Sequence, residues 1–190
     1  MAALIAGHGY LVAVPEIFHD LEAPGCVIAY DAAGADKGNA DKSGRPVKAY
    51  DDDARSVIRF LLSHPSCNGK LGSIGICIGG HLSFRASMNP EILAGVCFYA
   101  TDIHKGRLGK GGDDTLARVK ELKAEMLMIW GRQDPVASFD ELEGVMAALP
   151  RAAVVPVDSA AHLPHIERPA VVGPAVLRFL VAIDLWLAVP

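Results

Sequence analysis

Gly75-Ile76-Cys77-Ile78-Gly79-Gly80 decides the reading of this chain. Before it stands Lys70-Leu71-Gly72-Ser73-Ile74, a short apolar run with the look of a strand. After it stands His81-Leu82-Ser83-Phe84-Arg85-Ala86-Ser87-Met88, which reads as a helix. Strand, glycine-flanked nucleophile and helix together form the pattern of a nucleophile elbow, with cysteine where serine is usual. The glycines have a steric task. A nucleophile on so sharp a turn sits in a strained backbone, and side chains beside it would strike the adjoining strand or helix. The same turn aims the first helical N–H groups at the sulfur, which favours thiolate over thiol. A second reading stays open at this point: a buried cysteine in a tight α/β turn, where free cysteines often serve as core residues.

The downstream chain bears on that choice. Met126-Leu127-Met128-Ile129-Trp130 is a second apolar strand, running into Gly131-Arg132-Gln133-Asp134-Pro135. Ala152-Ala153-Val154-Val155-Pro156-Val157 leads to Asp158-Ser159-Ala160-Ala161-His162. Nucleophile, acid and histidine thus follow in the chain order of an α/β-hydrolase triad, the last two just past strand ends. Loops at the carboxyl ends of parallel strands are where sites in such sheets collect. Asp134 also reads as a turn residue before proline, a reading its spacing from the nucleophile and histidine outweighs. His165 rivals His162, but His162 comes first after the strand, beside small Ala160 and Ala161. His81 lies inside a helix and reads as structural, while Asp102 and His104 sit in a loop that either rims the pocket or only turns.

Around these motifs, strands are expected at residues 10–15, 70–76, 94–99, 126–130 and 152–157. Helices are expected at residues 50–63, 81–88, 114–122 and 138–149, and over most of 168–187. Residues 16–46 read as loop, punctuated by Pro24-Gly25, Gly34, Gly38-Asn39 and Gly44. Alternation of this kind predicts an α/β fold: a mostly parallel sheet with helices on both faces, in a single domain over residues 1–190. The 190 residues, 51% hydrophobic and 21% charged, suit one domain with a sizeable core.

Net charge is −4, so no basic footprint for nucleic acid is visible. The apolar tail, residues 175–187, is interrupted by Arg178 and Asp184 and is too short to span a bilayer. It reads as a helix packed on the sheet, with Leu185-Trp186-Leu187 as an alternative partner contact, and a homo-oligomer stays open. Cys26, Cys67, Cys77 and Cys97 show no close pairing, and the seven histidines do not group with them. That pattern calls for no metal and no cofactor. With no signal segment in view, a reducing cytoplasmic setting is expected for a free thiol.

The segments Gly9-Tyr10-Leu11-Val12-Ala13-Val14-Pro15-Glu16, Ala23-Pro24-Gly25, Asn68-Gly69-Lys70-Leu71-Gly72, the elbow with His81, Cys97-Phe98-Tyr99-Ala100-Thr101-Asp102-Ile103-His104, and Trp130-Gly131-Arg132-Gln133-Asp134-Pro135 resemble the dienelactone hydrolase family. That family is a cysteine-using branch of the α/β hydrolases. The resemblance implies Cys77 as nucleophile and Asp134 as orienting acid. It also implies an N-terminally shortened chain, lacking the first strands and with them one oxyanion donor and a glutamate near the nucleophile; Glu16 does not align with that glutamate. The tail through Ala161-His162-Leu163-Pro164-His165-Ile166-Glu167-Arg168-Pro169 resembles serine-type α/β hydrolases instead.

The implied activity is hydrolysis of small lactones or enol esters through Cys77, His162 and Asp134, with the Ile78 N–H as oxyanion donor. Arg45, Arg85 and Arg168 are candidates to hold a substrate carboxylate, since arginine grips carboxylates in a fork; taken singly, each reads first as a surface residue. Two alternatives stand beside it: a general esterase of small acids, and a non-catalytic remnant that binds a small molecule or a partner.

Overall fold

A computed structural model describes residues 2–149 and 152–183. The chain divides into two compact units, one of Met1–Cys67 with Gly106–Asp113 and one of Asn68–Lys105 with Asp114–Pro190.

The second unit is built on four strands: β1 Leu71–Ile76, β2 Ile92–Phe98, β3 Glu125–Gly131 and β4 Ala153–Val157. They pair in chain order and all in parallel, with Ile76 beside Phe98, Phe98 beside Ile129, and Gly131 beside Val157. Parallel strands covered by helices read as continuous apolar runs rather than alternating ones. β2 and β3 obey this: Val96, Cys97, Phe98, Leu127, Met128, Ile129 and Trp130 are all buried. Pro156 lies on β4, an outer strand among the described residues, and edge strands are where sheets tolerate proline. Around the sheet pack α4 Ile78–Ala86 against β1 and β2, α5 Phe139–Ala148 against β3, α6 Pro164–Glu167 against β3, and α7 Pro169–Ala182 against β3 and β4. The tail helix docks through buried Val172 and Ala175. Residues 184–187, including the Leu185-Trp186-Leu187 contact expected from sequence, lie outside the described residues.

The first unit holds α1 Ala2–Ala6, α2 Ala32–Gly44 and α3 Val47–Ser63. Two expectations fail here. Residues 10–15 form no strand, so β1 is an outer strand among the described residues. An apolar run becomes a strand only when a neighbour accepts its backbone hydrogen bonds. Residues 32–44, read as loop, form α2. The Asp31 side chain caps it by accepting the Gly34 N–H at 2.8 Å. A third expectation shrinks: residues 114–122 turn and then make only a single 3-10 turn, Val119–Glu121.

Candidate active site

Because every strand runs the same way, the residues just beyond Ile76, Phe98, Gly131 and Val157 gather at one end of the sheet. Cys77, Tyr99, Asp134 and His162 occupy those loops.

Cys77 is the N-cap of α4, with φ 57° and ψ −119°. A non-glycine residue in that region is strained and needs surroundings that hold it. Its N–H donates to the Phe98 carbonyl at 3.0 Å, and its carbonyl accepts from the His81 N–H at 3.2 Å. A side chain on Gly75 would collide with the Gly79 carbonyl, and one on Gly80 would meet the Phe98 carbonyl. Gly75 and Gly80 therefore do the steric work expected of them, whereas a side chain at Gly79 would meet open space. Ile78 is the first residue of α4, so its N–H belongs to the set that a helix start leaves without an intrahelical acceptor.

His162 Nδ1–H donates to both oxygens of Asp134, at 2.9 and 2.8 Å. The Asp134 carboxylate is buried and also accepts the N–H groups of Val136 and Ala137, at 2.8 and 2.9 Å. With Nδ1 taken, Nε2 is the ring nitrogen left for Cys77. Hydrogen bonding to Cys77 is the chief influence holding the His162 pKa above its ordinary value; the bond to Asp134 acts the same way, and burial opposes both. The Tyr99 ring lies against the imidazole, centroids 4.3 Å apart.

The acid and histidine loops are tied to each other through the backbone. Arg132 N–H donates to the Val157 carbonyl at 3.1 Å, and Gln133 N–H to the Ala160 carbonyl at 3.0 Å. The Gln133 side chain returns the favour, accepting the Ala160 N–H at 3.0 Å. Gly131 permits the approach: a side chain there would collide with the carbonyls of Ala160 and Ala161.

Other predicted residues lie apart from this group in role. His165 faces the aromatic rings of Phe98 and Tyr99, centroids 5.4 and 6.0 Å away, and burial depresses its pKa. His81 is buried; Nδ1–H donates to the Thr101 carbonyl at 2.8 Å and Nε2 accepts from the Thr115 hydroxyl at 2.8 Å. Asp102 (φ 64°) and His104 lie in the turns after β2.

Arg45 belongs to the other unit, where it pairs with Asp20 at 2.8 Å and Asp53 at 2.7 Å under the ring of Tyr50. Arg85 is buried and bonded to Asp114 and Thr115. A substrate carboxylate would have to displace those partners. Arg168 is exposed, at the junction of α6 and α7.

None of the four cysteines forms a disulfide among the described residues, and burial pushes the Cys97 thiol up to about 12. Among the described residues, no group of histidine, cysteine and acidic side chains could hold a metal ion, and no helix is long and apolar enough to cross a membrane. Sequence reading missed Tyr99, although it stands in the quoted Cys97-Phe98-Tyr99 run. Its φ of 35°, directly after β2, is visible only in the fold.

Comparison with known proteins bears on this arrangement. A family model described as "Dienelactone hydrolase family" matches residues 1–161. A Saccharomyces cerevisiae protein named "Putative carboxymethylenebutenolidase" is 42% identical over 135 residues, covering 68% of this chain and 49% of that protein. Carboxymethylenebutenolidase of Pseudomonas putida is 26% identical over 135 residues, covering 68% of this chain and 51% of the enzyme. The chain thus spans about half the length of the curated relatives it matches. Among solved structures, "Putative Dienelactone Hydrolase" from Klebsiella pneumoniae superposes with a TM-score of 0.60 at 20% identity, covering 73% of this chain and 62% of that one. The fold is that of the α/β hydrolases.

Proposed function

Because the chain belongs to the dienelactone hydrolase family, we propose that it hydrolyses small lactones or enol esters, with Cys77 as nucleophile. The observation that carries the reading is the His162 ring, bonded through Nδ1 to buried Asp134 at the sheet end that also bears Cys77, whose influence helps to raise the His162 pKa. The names of the relatives, carboxymethylenebutenolidases, agree with a lactone substrate.

His162 Nε2 takes the Cys77 proton as sulfur attacks the acyl carbon. A C–S bond forms and the carbonyl π electrons move to oxygen. The Ile78 N–H stabilises that oxyanion, a contribution of about 2.7–4 kcal/mol for one such donor. When the carbonyl re-forms, the acyl C–O bond breaks and the imidazolium returns its proton to the leaving enolate or alkoxide. Water, deprotonated by His162, then attacks the thioester. Its C–S bond breaks, Cys77 is regenerated, and the free acid departs. Asp134 fixes the ring tautomer and stabilises the imidazolium throughout. An enolate is a stabilised leaving group, so a thiolate displaces it more readily than an amide nitrogen. Arg168, the exposed arginine nearest in sequence to His162, is the residue we assign to a substrate carboxylate. A cytoplasmic, reducing setting would keep the Cys77 thiol available.

The test is single turnover with an activated ester and with an enol lactone. The unmodified chain should accumulate a thioester at Cys77, seen as an added acyl mass on that peptide. Cys77→Ala should abolish both adduct and turnover, and Cys26→Ala, Cys67→Ala and Cys97→Ala should retain most of the activity. Turnover that survives Cys77→Ala would refute the assignment. Ordinary esters turned over faster than lactones would move the substrate class toward a general esterase.

A further inference from the structure

The imidazole of His162 has its orienting carboxylate in Asp134, but its backbone is held by a different acid. Glu167, the last residue of α6, turns its carboxylate back along the chain. Oε2 accepts the N–H of Ala161 at 2.8 Å, and Oε1 accepts the N–H of Leu163 at 2.9 Å. These are the residues on either side of His162. One side chain thereby clamps the peptide units flanking the histidine.

The local sequence explains why a side chain is needed. Pro164 opens α6 and has no N–H, and the loop between β4 and α6 makes no ladder that could take up these donors. Leu163 is the N-cap, and its own side chain cannot accept a hydrogen bond. A glutamate four residues on reaches both donors at once, much as the glutamate of a capping box reaches back to the residue before a helix.

We propose that Glu167 is a positioning residue for His162: its carboxylate fixes the backbone on both sides of the imidazole, so that the ring meets Asp134 and Cys77 together. The two backbone bonds also depress the Glu167 pKa, first the one from Ala161 and then the one from Leu163, with Arg168 and His162 as nearby positive partners. It is therefore an anion when the site works. The groups facing the His162 ring are Asp134, Cys77 and Tyr99. Any consequence for turnover rests on His162 acting as the base; the clamp itself does not.

The test uses the full chain and three readouts: the His162 titration midpoint by NMR, exchange of the Ala161 and Leu163 amides, and ester turnover across pH. In Glu167→Ala the midpoint should fall toward the ordinary value of about 6.5 and both amides should exchange faster. Turnover (kcat/KM) should drop about tenfold to a hundredfold, the scale of a small misplacement of a catalytic group. Glu167→Gln keeps one acceptor oxygen and presents an NH₂ to the other donor, so it should show smaller shifts of the same sign. If Glu167→Ala fails to fold, Glu167→Gln decides alone. An unchanged midpoint with unchanged amide exchange overturns the proposal, even where turnover depends on Cys77. A shifted midpoint in a chain without turnover supports the clamp and refutes the hydrolase reading instead.

Discussion

The two units hold their interiors by different means. In the sheet unit a continuous apolar core runs from Phe84 through β2 and β3 to Leu142, Val145 and Val172. In the helical unit the buried residues are few, and one of them is a charged arginine, Arg45, paired with carboxylates. Leu4, Leu11, Val14, Leu21, Val27, Tyr30, Phe60 and Leu62 are exposed there. Its polar ties include Lys48–Asp52 and Arg55–Asp52, both at 2.6 Å and largely solvent-exposed, and Lys37–Glu22. Such surface pairs contribute about 0–1 kcal/mol each, whereas each large side chain fully buried contributes about 1.5–3. The difference implies that most of the stability resides in the sheet unit, and the helical unit is expected to open first.

The largest effect should come from the heart of the sheet. Trp130 is fully buried, and its Nε1–H donates to the Ala137 carbonyl at 2.7 Å. Trp130→Ala should lower unfolding free energy by about 3–5 kcal/mol in denaturant titration. Phe60→Ala, on the exposed face of α3, should stay within about 0.5 kcal/mol. Equal losses in the two variants would break the comparison.

A middle-sized effect should separate the units. At Gly34 a side chain would collide with the backbone carbonyl of Ala29. Alanine would gain about 1 kcal/mol in helix propensity, but overpacking against fixed backbone costs about 1–3. Gly34→Ala should therefore be destabilising on balance. Hydrogen exchange should quicken in α2 and remain unchanged in β2 and β3. Faster exchange across the sheet as well would show that the units open together.

The smallest effect is a pH dependence confined to the sheet unit. The folded-state pKa of His162 lies above its unfolded value, chiefly through Cys77 and then Asp134. Its contribution to stability is thus complete below the unfolded pKa of about 6.5 and fades as pH rises through the folded value. Thermal midpoints of the unmodified chain and of His162→Gln should differ most at acidic pH and converge on the alkaline side. A gap that widens with rising pH would reverse the sign of the pairing.

The same contrast explains what could be read in advance. β2 and β3 were legible because buried parallel strands are apolar throughout, and the loops that bear Cys77, Asp134 and His162 because each comes after a strand. The strand expected at residues 10–15 had the right composition, yet no strand forms there. α2 was hidden because its residues are small and polar all round, with glycines at 34, 38 and 44 that read as turns. What creates it is a cap and a close approach, neither of which leaves a periodic trace. Tyr99 and Glu167 were hidden for a related reason: Tyr99 meets His162 from another loop, and Glu167 reaches back from the end of α6 to the N–H groups on either side of it.

At Gly131 the acid loop and the histidine loop touch main chain to main chain. A junction of that kind takes no notice of which side chains its neighbours carry. Exposed Asp158 can change in identity while the spacing between Asp134 and the imidazole stays put, provided that position 131 never acquires a β-carbon and buried Ala160 stays small. The elbow bearing Cys77 is assembled by its own separate glycines. On the proposed mechanism, thiol could therefore give way to hydroxyl in a descendant lineage without the His162–Asp134 pair having to be rebuilt.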